Sequence, residues 1–158
     1  QPGKLNIENI SIVTEGTSVT RPAIHGEGLK QACLDVLNNN LIVDLIIAHG
    51  TGTILNDRVE SLVLGKLFPN KTPITCTKWA IGHTLGASGA MDLVAGAEAL
   101  IRQDTFSIAT TTEPDPSFPN YFLCGSNANS SSDLRRILIT SLGFGGINAA
   151  LTLTMRHQ

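Results

Sequence analysis

The feature that most constrains this chain is the apolar run at 41–48 (LIVDLIIA), broken only by Asp44. It is short, rich in β-branched side chains and bounded by turn-forming residues, which is the pattern of a buried strand. It leads directly into His49-Gly50-Thr51-Gly52-Thr53. An imidazole, two hydroxyls and two glycines therefore sit where the chain leaves that strand.

The neighbouring segments alternate in period. Residues 7–19, with Ile10, Ile12 and Val13 among polar neighbours, read as an opening strand broken by Thr20-Arg21-Pro22. Residues 28–38 place Leu29, Ala32, Cys33, Val36 and Leu37 at helical spacing, and the asparagines at 38–40 stop them. A second helix is predicted over 56–68, capped by Asn56 or Asp57, with Pro69 beyond its end. Strands are predicted at 73–77, 106–111, 136–141 and 148–154. A glycine-rich turn at 81–89 leads into a small-residue helix ending at Ile101, which is expected to be largely buried because alanine and glycine allow close packing. Residues 113–120, with three prolines, read as an irregular loop, and 126–133 as a polar, flexible stretch. No repeat or linker divides the chain, so its 158 residues are expected to form one α/β domain with a mixed sheet. Such sheets gather ligands beyond the carboxyl ends of their strands, and the loops of His49, His83 and Phe144 all fall where strands end.

Each of these loops has a chemical reading and a plainer one. Thr51 and Thr53 offer hydroxyls to an amide-bearing substrate, and the intervening glycines let backbone approach a ligand. The same loop also reads as a strand-to-helix turn whose His and Thr satisfy backbone groups. In TKWAIGHTLGASGA, His83 is placed at the head of the small-residue helix, where the helix N-terminus disfavours a cation and keeps the imidazole neutral. A neutral imidazole donates a hydrogen bond to a carbonyl oxygen. Lys78 adds positive charge, expected to pair with Asp57 or Glu60; a surface lysine and a capping histidine are the alternative. Gly143-Phe144-Gly145-Gly146 suits either an oxyanion hole with Phe144 as a movable wall or an ordinary β-turn.

Composition bounds the partners. Charged residues make up 15% of the chain, against roughly 25% in an ordinary soluble domain, so part of the surface is expected to be buried against more protein. A net charge of −2 gives no basic footprint for nucleic acid, and no apolar run is long enough to span a membrane. Residues 1–4 lack the character of a signal peptide and no initiator Met precedes them, so the chain is expected to be a fragment of something longer. Cys33, Cys76 and Cys124 are an odd set without metal-ligand spacing, which favours free thiols in a reducing compartment, with cytoplasm the default and no metal. Cys33, mid-helix on the apolar face, reads as packing and not as a nucleophile. Cys76 reads the same way despite its closeness to Lys78, Cys124 carries no reading, and His25 and His157 read as solvated.

Taken in order, HGTGT with Asp57 and Glu60 in the next helix, then Lys78 with GHTLGASGA, then GFGGIN near the end resemble the β-ketoacyl synthases, condensing enzymes of the thiolase fold. The resemblance runs from about residue 10 to residue 154, and the GHT histidine points to the carrier-protein-dependent, Cys-His-His branch. It implies the C-terminal half of a thiolase-like fold, an α/β unit with a mixed five-stranded sheet and packed helices. It further implies decarboxylative Claisen condensation in fatty-acid or polyketide-type elongation. In that reaction His49 and His83 bind the malonyl thioester carbonyl and stabilise the enolate formed as carbon dioxide leaves. Lys78 supports the site electrostatically with Glu60 as its associated acid, the Phe144 N–H supplies one oxyanion-hole donor, and Thr51 and Thr53 contact the phosphopantetheine arm.

No bound cofactor is implied, since the substrates ride on the phosphopantetheine of acyl carrier protein. The implied partners are that carrier protein, an N-terminal half bearing the nucleophilic cysteine missing from this chain, and a second complete subunit in a dimer. Alone, the chain is expected to form no acyl-enzyme. The alternatives are a non-catalytic partner resembling a chain-length factor, and a stand-alone binding domain for carrier protein or acyl chains.

Overall fold

A computed structural model of the chain describes residues 4–21, 23–69, 72–118, 121–122, 124 and 133–156. Pro22 of the expected strand break, the polar stretch from 126 to 132, and His157 lie outside them. Strand β1 (Lys4–Thr14) is followed by helix α1 (Glu27–Leu37), β2 (Leu45–Ile47), α2 (Ile54–Leu67) and β3 (Pro73–Thr75). The one-turn helix α3 (Lys78–Ile81) and a 3-10 turn (Leu85–Ala87) lead into α4 (Ser88–Arg102). The two-residue β4 (Tyr121–Phe122) then precedes β5 (Arg136–Gly143) and β6 (Ile147–Arg156).

The sheet order is β1-β6-β5-β2-β3-β4. β2 pairs in parallel with β3 and β5, and β4 lies parallel to β3. β6 runs antiparallel to both β5 and β1. The expected mixed sheet is therefore present as a body of five strands, with β4 added at its edge. The predicted strand at 106–111 is replaced by an isolated bridge between Ile108 and Cys124. Two backbone groups explain this: the Phe106 carbonyl accepts the Thr75 hydroxyl at 2.7 Å, and the Thr111 N–H turns back onto the Ile108 carbonyl. Of the apolar run at 41–48, only 45–47 joins the ladder. Asp44 still donates its N–H to the Arg136 carbonyl at 2.8 Å, and its carboxylate accepts the Arg135 and Arg136 N–H groups, each at 2.8 Å.

Alternation along the strands divides the core into two layers. Ile46 and Leu138 face α1 and α2, packing with Leu29, Val36, Val63 and Leu64. Leu45, Ile47, Ile137 and Ile139 face α4 and meet Ala99 and Leu100. Gly96 lets α4 sit close, since a Cβ there would lie 3.1 Å from Ile139 and 3.3 Å from Ile47. The expectation that α4 is largely buried holds for one side only. Ser88, Asp92, Gly96, Ala99 and Leu100 are buried, whereas Met91, Val94 and Ile101 are exposed, because the sheet covers a single face of the helix. On the same side of the sheet, Ile10 and Ile12 of β1 also stand open.

Candidate active site

The His49 loop leaves β2 after Ala48, whose N–H still bonds the Thr75 carbonyl of β3 at 2.8 Å. Glu60 of α2 then holds the loop. One carboxylate oxygen accepts the His49 N–H at 2.9 Å and the Thr140 hydroxyl at 3.0 Å. The other accepts the Gly50 N–H at 2.7 Å and the Asn56 amide at 2.9 Å. Burial pushes the Glu60 carboxyl pKa up, and these four donors oppose that shift. Asn56 and Asp57 are thus interior residues of α2 and not its cap; Thr53 holds the cap position without a side-chain bond. Gly50 has φ +49°, and a Cβ there would lie 2.7 Å from that of Cys76, so this position requires glycine twice over.

His49 is buried, and its pKa is lowered to about 3, first by burial and then by the nearby charges of Lys78 and His83. It is therefore neutral at ordinary pH. Its Nδ1 is buried without a hydrogen-bond partner among the described residues. A lone pair is cheaper to leave unmatched there than an N–H, which puts the single ring proton on Nε2. His83 has a different setting. It lies in the exposed turn between α3 and α4, not at the head of α4, because Gly82 at φ +72° ends α3 and the 3-10 turn intervenes. Its Nδ1 accepts the Leu85 N–H at 3.1 Å, which leaves Nε2 as the ring's donor. The two rings meet edge to face with centroids 5.2 Å apart.

Lys78 does not pair with Asp57 or Glu60. Its ammonium group lies 3.1 Å from Asp92 of α4, with both side chains almost wholly buried, and the Thr77 hydroxyl donates to the same carboxylate at 2.5 Å. Glu60 is occupied with the His49 loop, which leaves Asp92 as the lysine's acid. Sequence reasoning missed Asp92, although its spacing four residues after Ser88 and four before Gly96 puts it on the small-residue face of α4. Thr51 and Thr53 share a hydrogen bond at 2.9 Å at the exposed lip of the loop.

Phe144 stands in the β5–β6 turn, 77% exposed and, among the described residues, without ring contact to either imidazole. The turn is tied to the segment after β1. The Gly145 N–H bonds the Val19 carbonyl at 2.7 Å, and the Glu15 N–H bonds the Gly146 carbonyl at 2.9 Å. The Glu15 carboxylate in turn accepts the N–H groups of Ala23 and Gly28, a brace the sequence did not reveal. Because β5 runs parallel to β2, this turn leaves the sheet at the same end as the His49 loop. The structure thus joins His49, His83 and Glu60 directly, and Lys78 through its charge. Phe144 shares only the end of the sheet. Cys33, Cys76 and Cys124 are all free and buried, with burial raising the Cys33 thiol to about 12 and that of Cys76 to about 11, as packing residues require. His25 is exposed.

This sheet, with two helices on one face and α4 on the other, defines the C-terminal half of a thiolase-like condensing-enzyme fold. Residues 6–108 match the family model described as "Beta-ketoacyl synthase, C-terminal domain". The chain belongs to the β-ketoacyl synthase family. It is similar to nodulation protein E of Rhizobium sp. (strain N33), with 36% identity over 70% of this chain and 29% of that protein. Among solved structures, it matches a ketosynthase in complex with its chain length factor from Xenorhabdus doucetiae, with a TM-score of 0.84 and 29% identity over 99% of this chain and 40% of that one. It also matches a β-ketoacyl synthase from Burkholderia phymatum, with a TM-score of 0.85 and 27% identity over 96% of this chain and 37% of that one. The chain spans 29–37% of the length of the curated relatives it matches.

Proposed function

We propose that this chain is the two-histidine half of a decarboxylating β-ketoacyl synthase. One observation carries the reading: two imidazole rings with centroids 5.2 Å apart at the mouth of one loop cluster, each with Nε2 left free to donate. A malonyl thioester on a carrier-protein arm places its carbonyl oxygen between those donors, with Thr51 and Thr53 along the arm. The bond to the carboxylate carbon breaks, carbon dioxide leaves, and the electron pair passes into an enolate whose oxygen accepts both N–H groups. The enolate carbon then attacks the acyl thioester held on a cysteine of the other half. A carbon–carbon bond forms, the bond to sulfur breaks, and the thiolate departs. The Phe144 N–H is a donor to the oxygen of that tetrahedral intermediate. Burial keeps His49 neutral, and the charge of Lys78, held in place by Asp92, adds to the effect.

The other half docks on the open side of α4. Met91, Val94 and Ile101, with Ile10 and Ile12 of β1, leave an apolar face that nothing among the described residues covers, and this chain spans only 29–37% of the length of the curated relatives it matches. Acyl carrier protein and a second complete subunit are the further partners of this reading.

The test uses the complete polypeptide that contains this half. His49→Ala and His83→Ala should each slow carbon dioxide release from malonyl carrier protein by about 100-fold, the typical effect of losing one oxyanion donor. Acylation of the cysteine should persist in both. Undiminished release would overturn the assignment.

A further inference from the structure

Behind the His49 loop lies a second concavity of about 370 Å³, at the small end of the range for ligand pockets. Gly50 and Thr51 form the wall it shares with the His49 loop, and neither imidazole lines it. Its apolar lining comes from Ile74 of β3 and Leu64 of α2, and the rings of Trp79, Phe118 and Phe122 complete it. The charge around it is unbalanced. Asp57, half-buried, and Asp115, exposed, both line it, and neither forms an ion pair among the described residues. The cation on its wall, Lys78, is already matched by Asp92. Glu60 faces it too, but both its oxygens are taken by the four donors of the loop and α2.

We propose that this cavity binds a small organic cation, with an apolar body against Trp79, Phe118 and Phe122 and an ammonium group directed to Asp57 and Asp115. Aromatic faces and carboxylates attract the same positive charge, the first through the ring quadrupole and the second by direct Coulomb attraction. Among the described residues Asp57 accepts only the Asn56 amide and Asp115 only the Ser117 N–H and hydroxyl, so an anion of the same shape meets two carboxylates that no ion pair neutralises and is rejected. A neutral molecule gains the apolar contacts alone.

Three probes of nearly one shape separate these cases: phenethylammonium, 2-phenylethanol and 3-phenylpropanoate. Their dissociation constants would be measured by ligand-observed NMR on the complete polypeptide. Phenethylammonium should bind about tenfold more tightly than the alcohol, and the carboxylate more weakly than either. The paired substitutions Asp57→Asn and Asp115→Asn should erase that preference while leaving the alcohol's affinity in place. Thr110→Trp, at an exposed position on the cavity wall, should abolish binding of all three, with circular dichroism confirming an unchanged fold. The proposal fails if the ammonium binds no better than the alcohol, if its preference survives both Asp substitutions, or if no probe binds at millimolar concentration.

Discussion

His49 is held neutral first by burial and then by its neighbours Lys78 and His83, and this has a measurable consequence for stability. Its pKa falls from about 6.5 in the unfolded chain to about 3 in the fold. Between those values the unfolded chain binds a proton that the folded one refuses. The stabilisation is therefore complete above pH 6.5 and is lost progressively as pH falls toward 3. Urea melts at pH 7 and pH 4.5 should show a larger loss in the parent protein than in His49→Asn, which has no such proton to exclude. The same neutrality predicts that carbon dioxide release carries no inflection from His49 between pH 5 and pH 8. The identity of the two histidines was legible in the sequence because each sits in a motif. Their mutual orientation was not, since 34 positions of chain separate them and only the sheet returns one loop to the other.

Among the elements, α2 and α4 act as supports for loops that belong to strands. Glu60 fixes the backbone of the His49 loop from the second turn of α2, so Glu60→Gln replaces an oxygen acceptor with an NH2 group facing existing donors. It should destabilise the protein by about 1–3 kcal/mol in chemical denaturation and lower activity by displacing His49. Asp92→Asn leaves the buried Lys78 ammonium without its counter-ion and should cost about 3–5 kcal/mol, whereas the double variant Lys78→Met with Asp92→Leu should recover most of that stability without recovering activity. The helices themselves were readable, because α1 and α2 begin and end within two residues of the predicted limits. α3 was not, being a single turn whose end depends on Gly82. The strand misread at 106–111 has a suitable apolar pattern, but pattern says nothing about which partner its carbonyls find, and Thr75 captures one of them.

At the scale of the whole molecule, this half presents one finished face and one open face. α1 and α2 close one side of the sheet, whereas α4 alone leaves Val94, Ile10 and Ile12 at 58%, 63% and 68% exposure. Val94→Glu combined with Ile12→Glu should leave the internal core intact and yet weaken attachment of the remaining half. Limited proteolysis of the complete protein should then release this half faster than it does from the parent. The low content of charged residues had already raised the expectation of a surface covered by more protein, and the exposed apolar side chains of α4 and β1 are the surface we propose for it. No helix among the described residues is long and apolar enough to cross a membrane. By itself the sequence determined the α/β class, the strand that delivers His49, the glycines that let its loop turn, and the two histidines of the candidate site. Local period and steric rules act over a few residues, and those features are local. Tertiary structure alone decided that Glu60 binds the His49 loop, that Lys78 takes Asp92, and that two imidazoles distant in sequence become neighbours. Those contacts depend on which faces of separate elements the parallel sheet brings together, and no spacing along a single chain encodes that.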